Sequence, residues 1–216
     1  MLFYYINPAL ELVALIISFF CLRSSKVGWY KHFIWFLLLV VITENTGFFL
    51  YFHFHMLNHW VYNLYLPIEI AFKSWLFYKV CKPYFNCKKI VIASLFIFYS
   101  IYIIEGWSHH YLKYNSITNS VFSVWLIIMC LFYFYYFLND AEFVSIYQHP
   151  PFWIVTGLFF FYFVSTASNL FFDYVSDLNK KSFRPFRYII FLILDFILYA
   201  SWSYAFLCKR KEITSI

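Results

Sequence analysis

Residues 61–80 restrict the fold of this chain more than any other stretch of its sequence. The run is mostly apolar, and at about 1.5 Å per residue its helix is long enough to cross a bilayer. Inside it lie Asn63, Pro67, Glu69 and Lys73. Pro67 has no amide hydrogen, so it predicts a bend at which the Asn63 carbonyl loses its intrahelical partner. Glu69 and Lys73 are four residues apart and share one helix face, where they can neutralise each other.

Ionisable side chains within a membrane are energetically costly. Each costs about 2.5–3.5 kcal/mol to insert, so it usually serves a function and has a partner nearby. Glu69 and Lys73 therefore predict that this helix has a function. The alternative is a structural ion pair that joins two helices.

The composition indicates an integral membrane protein. The chain is 64% hydrophobic and 12% charged, with a mean hydropathy of +0.70, whereas a soluble domain is typically about 25% charged. The net charge of +6 does not indicate nucleic-acid binding, because the basic residues form short clusters between apolar runs, as in membrane proteins. The N-terminus has no charged region ahead of its apolar stretch, so we expect a retained first helix.

Seven apolar runs divide the chain, and most approach the length needed to span a bilayer. They cover residues 4–22, 33–54, 61–80, 90–104, 121–138, 151–172 and 188–207. The connecting segments are short and polar, and none is large enough for a soluble domain. The sequence therefore predicts an all-α, polytopic membrane bundle of seven transmembrane helices, forming one domain over residues 1–216.

The basic residues predict the orientation, because cytoplasmic loops carry an excess of lysine and arginine. With the N-terminus outside and the C-terminus cytoplasmic, the inner segments hold ten basic residues: Arg23, Lys26, Lys31, Lys79, Lys82, Lys88, Lys89, Lys209, Arg210 and Lys211. The outer segments hold five: Lys113, Lys180, Lys181, Arg184 and Arg187. We therefore expect a multi-pass protein of the inner, cytoplasmic membrane.

The cysteines favour the same orientation. Cys21, Cys81, Cys87 and Cys208 fall at the inner ends of the predicted helices, and Cys130 falls in the inner half of the fifth. Thiols on the reducing side of a membrane do not form disulfides.

Four acids are predicted to lie at one level of the bundle. Glu69 lies roughly 12 Å below the outer end of its helix, Glu44 about 15 Å, and both Asp195 and Glu11 about 10 Å. They belong to the third, second, seventh and first runs. Polar side chains within a membrane must find partners across helices or in water. We therefore expect these four acids to share one polar layer in the outer half of the bundle.

Other polar residues stand on the same helix faces as these acids, including Asn7, Tyr62 and Tyr162. The predicted ligand- or proton-binding set consists of Glu11, Glu44, Asn63, Tyr65, Glu69, Lys73, Ser165, Asn169, Asp195 and Tyr199. Pro67 is the predicted hinge, because a freed carbonyl and a bend permit two arrangements of one helix.

Metal and cofactor sites are not expected. His53, His55 and His59 could bind zinc together with carboxylates, but side chains at i and i+2 of a helix point apart. The chain has no glycine-rich phosphate loop, no G-x-S-x-G and no H-E-x-x-H motif. The seventh run has no mid-helix lysine to hold retinal, and the C-terminal histidine pair of the ceramidase-like membrane hydrolases is missing.

Three short motifs occur in the third, sixth and seventh runs: Asn63-x₃-Pro67-x-Glu69, Pro151-Phe152-Trp153-x₃-Gly157 with Phe161-Tyr162, and Asp195-x₃-Tyr199. Together they resemble a family of small seven-helix inner-membrane proteins from Bacteroidota. Members of this family commonly have no assigned function and are often found near sensor kinase genes. The resemblance implies a seven-helix fold and a signalling setting, with another membrane protein such as a sensor kinase as partner.

Three functions fit these features. The first is a receptor-like signalling module in the lipid bilayer that senses a small polar ligand or protons. The second is an ion- or proton-coupled transporter of small molecules, since such carriers use acids near the middle of the membrane. The third is a membrane-embedded, lipid-modifying enzyme with Glu44, Glu69 or Asp195 as general acid or base.

Overall fold

The computed structural model describes residues 6–23, 28–111, 113–139, 146–176 and 184–214, and these residues form an all-α protein. Its seven long helices are α1 (Ile6–Leu22), α2 (His32–His53), α3 (His59–Cys81), α4 (Lys88–Ser108), α5 (Ser116–Leu138), α6 (Pro150–Ser176) and α7 (Arg184–Thr214). Single 3₁₀ turns precede α2 at Gly28–Lys31 and α6 at Ile146–Gln148. The prediction of seven helices is confirmed. The fourth helix extends beyond its apolar run at both ends.

Five segments are long and apolar enough to cross a membrane: Gly28–His53, Lys88–Ser108, Ser116–Leu138, Pro150–Phe171 and Tyr188–Glu212. The described part of α1 is shorter, with 17 residues. α3 has the length, with 23 residues, but carries polar and charged side chains along it. The protein is therefore a multi-pass membrane protein, although the structure identifies five membrane-spanning helices by these criteria and the sequence predicts seven.

Large apolar side chains cover the outside of the bundle. Trp35, Phe96 and Trp107 are 71%, 74% and 76% exposed. Such an extensive apolar surface is incompatible with water and compatible with lipid. The outer surface of the helices therefore contacts the bilayer.

The helices form a closed ring. Each helix packs against its neighbours in the chain, and α7 closes the ring by packing against α1. α3 also contacts α5 directly, so α4 lies on the outside of this pair. Polar side chains on the inner faces of the remaining helices can therefore meet at the centre.

Aromatic packing fills the half of the bundle that contains the end of α1 and the start of α2. The Phe33 ring lies 5.2 Å from the Trp202 ring and 5.3 Å from the Phe206 ring, in edge-to-face contacts. The Phe36 and Phe72 rings stack at 3.9 Å. Phe33, Trp202 and Phe206 are at most 1% exposed. This half of the bundle is a tightly packed apolar core, as close-packed protein interiors require.

Candidate binding cavity

A cavity of about 270 Å³ lies inside the ring, in the half where α2 ends and α3 begins. Its lining comes from every long helix except α4, together with Tyr114 from the connection between α4 and α5. α4 does not line the cavity because it packs on the outside of the contact between α3 and α5. A side chain on α4 cannot reach the centre of the ring.

All four acids of the predicted polar layer line this one cavity: Glu11, Glu44, Glu69 and Asp195. They meet because each stands a few turns from the same end of the bundle, on an inward-facing part of its helix. Lys73 lines the cavity as well. Of the predicted set, Tyr65, Ser165, Asn169 and Tyr199 also contribute to the lining.

Glu69, Lys73 and Tyr162 form one hydrogen-bonded group. The Lys73 ammonium contacts both the Glu69 carboxylate and the Tyr162 hydroxyl. The Tyr162 hydroxyl donates to Glu69 Oε1 at 3.0 Å, and Lys73 Nζ lies 4.7 Å from the centre of the Tyr162 ring. The Lys73 ammonium is thus paired with the Glu69 carboxylate, and the Tyr162 hydroxyl contacts both groups.

Glu44 and Asp195 each have a neutral hydrogen-bond donor. The Tyr62 hydroxyl donates to Glu44 Oε2 at 3.1 Å, and Asn7 Nδ2 donates to Asp195 Oδ2 at 2.8 Å. Gly47 makes the first contact possible, because a Cβ atom at this position would lie 2.7 Å from the Tyr62 hydroxyl. These donors orient the carboxyl groups but supply no positive charge.

Glu11 is the least satisfied acid of the cavity. Its side chain is 4% exposed, and its Oε2 atom has no hydrogen-bond partner in the described part of the chain. An unpaired, buried polar atom is energetically costly. Glu11 therefore contributes to the cavity lining a carboxyl oxygen that no described donor satisfies.

The cavity has more acids than bases. In the described lining, four carboxyl groups face the single ammonium of Lys73, so three negative charges would remain if every group were ionised. Unpaired charge in a low-dielectric environment is strongly unfavourable. Within the described lining, only protons on the carboxyl groups or an added cation would supply the balance.

The cavity ends on the aromatic core. Phe36 and Trp202 line its inner end, two turns deeper than Glu44 and Asp195 along their helices. Behind them, Phe33 and Phe206 are fully buried. On this side, the described residues behind the cavity lining are packed aromatic rings.

Asn63 does not line the cavity, although it belongs to the predicted set. Its Nδ2 atom donates to the Lys113 carbonyl at 2.8 Å, and its Oδ1 atom accepts from the Asn115 amide at 3.0 Å. The side chain thus satisfies backbone groups between α4 and α5. Its role in the structure is to attach that connection to α3.

Pro67 does not leave a free carbonyl. α3 continues through Pro67 as one helix, and the Asn63 carbonyl accepts a hydrogen bond from the Tyr102 hydroxyl at 2.9 Å. One turn further, the Pro67 carbonyl accepts from the Tyr99 hydroxyl at 2.9 Å. Two tyrosines of α4 therefore hold α3 on both sides of the predicted hinge.

Glu105 has a structural role that the sequence analysis did not identify. Its carboxylate accepts from the Ile117 amide at 2.9 Å, the Thr118 amide at 2.8 Å and the Thr118 hydroxyl at 2.7 Å. α5 has no side-chain cap from its own N-cap residue, Asn115. Glu105 caps α5 instead, since its carboxylate satisfies two amides of the first turn.

Several other lining residues lay outside the predicted set. Asn7, Tyr62 and Tyr162 stand on the predicted polar faces, and their pattern could have included them. Four further residues line the cavity: Thr43, Tyr114, Asn119 and Ser123. Their sequence positions do not distinguish them from ordinary polar residues at helix ends and helix interfaces.

The histidines and cysteines form no metal cluster in the described ranges. There, no three residues of histidine, cysteine, aspartate or glutamate are placed to share an ion. His53 and His55 are exposed, and His55 has a positive φ of 50°, which turns the chain after α2. The five cysteines are free and buried.

Comparison with known proteins gives no relative: no protein-family model, curated protein or solved structure matches this chain.

Proposed function

We propose that the protein is a receptor-like signalling module that binds protons or a small cationic ligand in its central cavity. In this proposal all seven helices span the inner membrane, with the N-terminus outside, so that the cavity faces the outer side. Its signalling partner is a membrane protein such as a sensor kinase, as the motif resemblance to the Bacteroidota family suggests.

The excess of acids in the cavity carries the proposal. Within the described residues, the donors to Glu44 and Asp195 are neutral, and Glu11 Oε2 has no hydrogen-bond partner. A cation would supply the missing charge and the missing hydrogen-bond donor at once. The cavity volume of about 270 Å³ lies below the usual range for drug-sized ligands, about 300–1,000 Å³. The ligand is therefore small.

The aromatic core favours reception over transport. A receptor needs a site that is open at one end, whereas a carrier must open its site to both sides. Phe36 and Trp202 line this cavity next to the aromatic core, where Phe33 and Phe206 are fully buried. Binding can change the packing of the bundle without a path through it.

Transport coupled to protons or ions is the second candidate. Carriers of this type also place acids deep in the membrane, and the Glu69–Lys73–Tyr162 group offers a hydrogen-bonded chain within the cavity lining. In proteoliposomes, guanidinium or proton flux that is lost in Glu69→Gln would support this candidate. We expect no such flux.

Calorimetric titration with guanidinium, a small planar cation, tests the proposal. The protein is studied in nanodiscs at two pH values about one unit apart. We expect binding whose Kd rises about tenfold at the lower pH for each proton that the cation displaces.

A matched pair of variants locates the binding. Glu11→Gln should weaken it, while Glu212→Gln should not, because Glu212 lies at the opposite end of the bundle and pairs with Lys209 at 2.5 Å. If guanidinium does not bind and the protein takes up no protons between these pH values, the proposal is wrong.

A further inference from the structure

An apolar groove of about 680 Å³ runs between α1 and α2 on the outside of the ring. Ile16 and Phe20 from α1 and Trp35 and Leu38 from α2 form part of its walls. These side chains are 53%, 69%, 71% and 36% exposed, respectively. The groove therefore belongs to the surface that contacts lipid, but its shape is concave.

Two basic residues, Arg23 and Lys31, lie at one end of the groove. Arg23 directly follows α1, and its guanidinium carbon lies 5.5 Å from the centre of the Phe19 ring. Lys31 is the last residue of the 3₁₀ turn before α2. Both are exposed, and neither pairs with an acid in the described part of the chain.

We propose that this groove binds an anionic phospholipid, with an acyl chain against its apolar walls and the phosphate between Arg23 and Lys31. The charges stand where α1 ends, which is the level at which headgroups lie if the helix spans the bilayer. Arginine binds phosphate through two parallel hydrogen bonds, and lysine adds a second positive charge.

An anionic lipid is favoured over a zwitterionic one by charge complementarity. A zwitterionic headgroup would bring its own ammonium next to two cations that have no acidic partner among the described residues, which opposes binding. Each basic residue near a membrane surface contributes about 1 kcal/mol, so the preference should be about fivefold for one charge and about 30-fold for both. This site is independent of the proposed cation binding in the cavity.

Tryptophan quenching by brominated lipids tests the site. The protein is reconstituted in nanodiscs with brominated phosphatidylglycerol or brominated phosphatidylcholine at increasing mole fraction. Trp35 reports on the groove, and Trp35→Phe identifies its share of the signal. That variant should leave the fold unchanged, because Trp35 is 71% exposed.

We expect phosphatidylglycerol to quench Trp35 at a lower mole fraction than phosphatidylcholine. The difference should vanish in the double variant Arg23→Gln/Lys31→Gln. It should persist in Lys82→Gln/Lys88→Gln, which removes two exposed charges from the same end of the bundle but outside the groove. Equal quenching by the two lipids, or a preference that survives Arg23→Gln/Lys31→Gln, would overturn the proposal.

Discussion

Replacing Lys73 with methionine removes the one cation of the described cavity lining and keeps the length and apolar stem of the side chain. The structure predicts a large effect because the pair is buried: the side chains of Lys73 and Glu69 are 5% and 15% exposed. The same change leaves the Tyr162 hydroxyl without the ammonium that it contacts. Glu69 would then retain one neutral donor and no counter-charge.

The expected magnitude follows from this burial. Removing one partner of a buried ion pair costs about 3–5 kcal/mol, because the remaining charge stays unpaired. Replacing both partners with uncharged residues of similar volume is often close to neutral. Lys73→Met should therefore lower the free energy of unfolding by about 3–5 kcal/mol, and adding Glu69→Gln should recover most of that loss.

Unfolding in mixed micelles with increasing dodecyl sulfate, followed by tryptophan fluorescence, measures this double-mutant cycle. Lys209→Met with Glu212→Gln is the matched control, since this pair is spaced i, i+3 and the Glu212 side chain is 41% exposed. Its coupling should not exceed about 1 kcal/mol. A coupling for Glu69 and Lys73 as small as that of the control would refute the reasoning.

Three further changes test other parts of the structure. Gly47→Ala should weaken guanidinium binding in the same calorimetric assay, because the new methyl group would displace the Tyr62 hydroxyl from its carboxyl partner; unchanged affinity would contradict this contact. Asn63→Ala should lower the free energy of unfolding by about 2–4 kcal/mol, since two backbone groups lose their partner; a loss below about 0.5 kcal/mol would speak against it. In the proposed orientation Leu57 lies outside the membrane and Asn86 inside, and both are exposed. A membrane-impermeant maleimide should therefore label Leu57→Cys in intact spheroplasts and Asn86→Cys only after lysis. The reverse pattern would show that the topology is inverted.

The helices and the common level of the acids could be predicted from the sequence. Apolar runs of bilayer length identify helices almost by themselves, since backbone groups in lipid must be satisfied within the segment. The fixed rise of 1.5 Å per residue then converts the positions of Glu11, Glu44, Glu69 and Asp195 into depths. Neither step needs knowledge of how the helices pack.

The partners of individual side chains could not be predicted in this way. Asn63 has the same spacing and polarity as a cavity residue, but its side chain bonds to Lys113 and Asn115. Those backbone groups are about fifty residues away in the chain, and only the packing of α4 and α5 against α3 brings them near. Periodicity along one helix contains no such information.

Pro67 illustrates the same limit. Its effect on the chain is local and certain, because the missing amide hydrogen always leaves a carbonyl unpaired within the helix. Whether that carbonyl becomes a point of flexibility depends on the neighbouring helix. Here Tyr102 satisfies it, and the sequence of α3 alone could not reveal this.

The two tyrosine hydrogen bonds also determine which parts can move together. Tyr99 and Tyr102 fasten α4 to α3 at Pro67 and at Asn63. A shift of α3 that keeps both bonds carries α4 with it, although α4 never touches the cavity. A displacement of α3 near Glu69 that preserves both bonds would therefore reach the lipid-facing surface of the protein through α4.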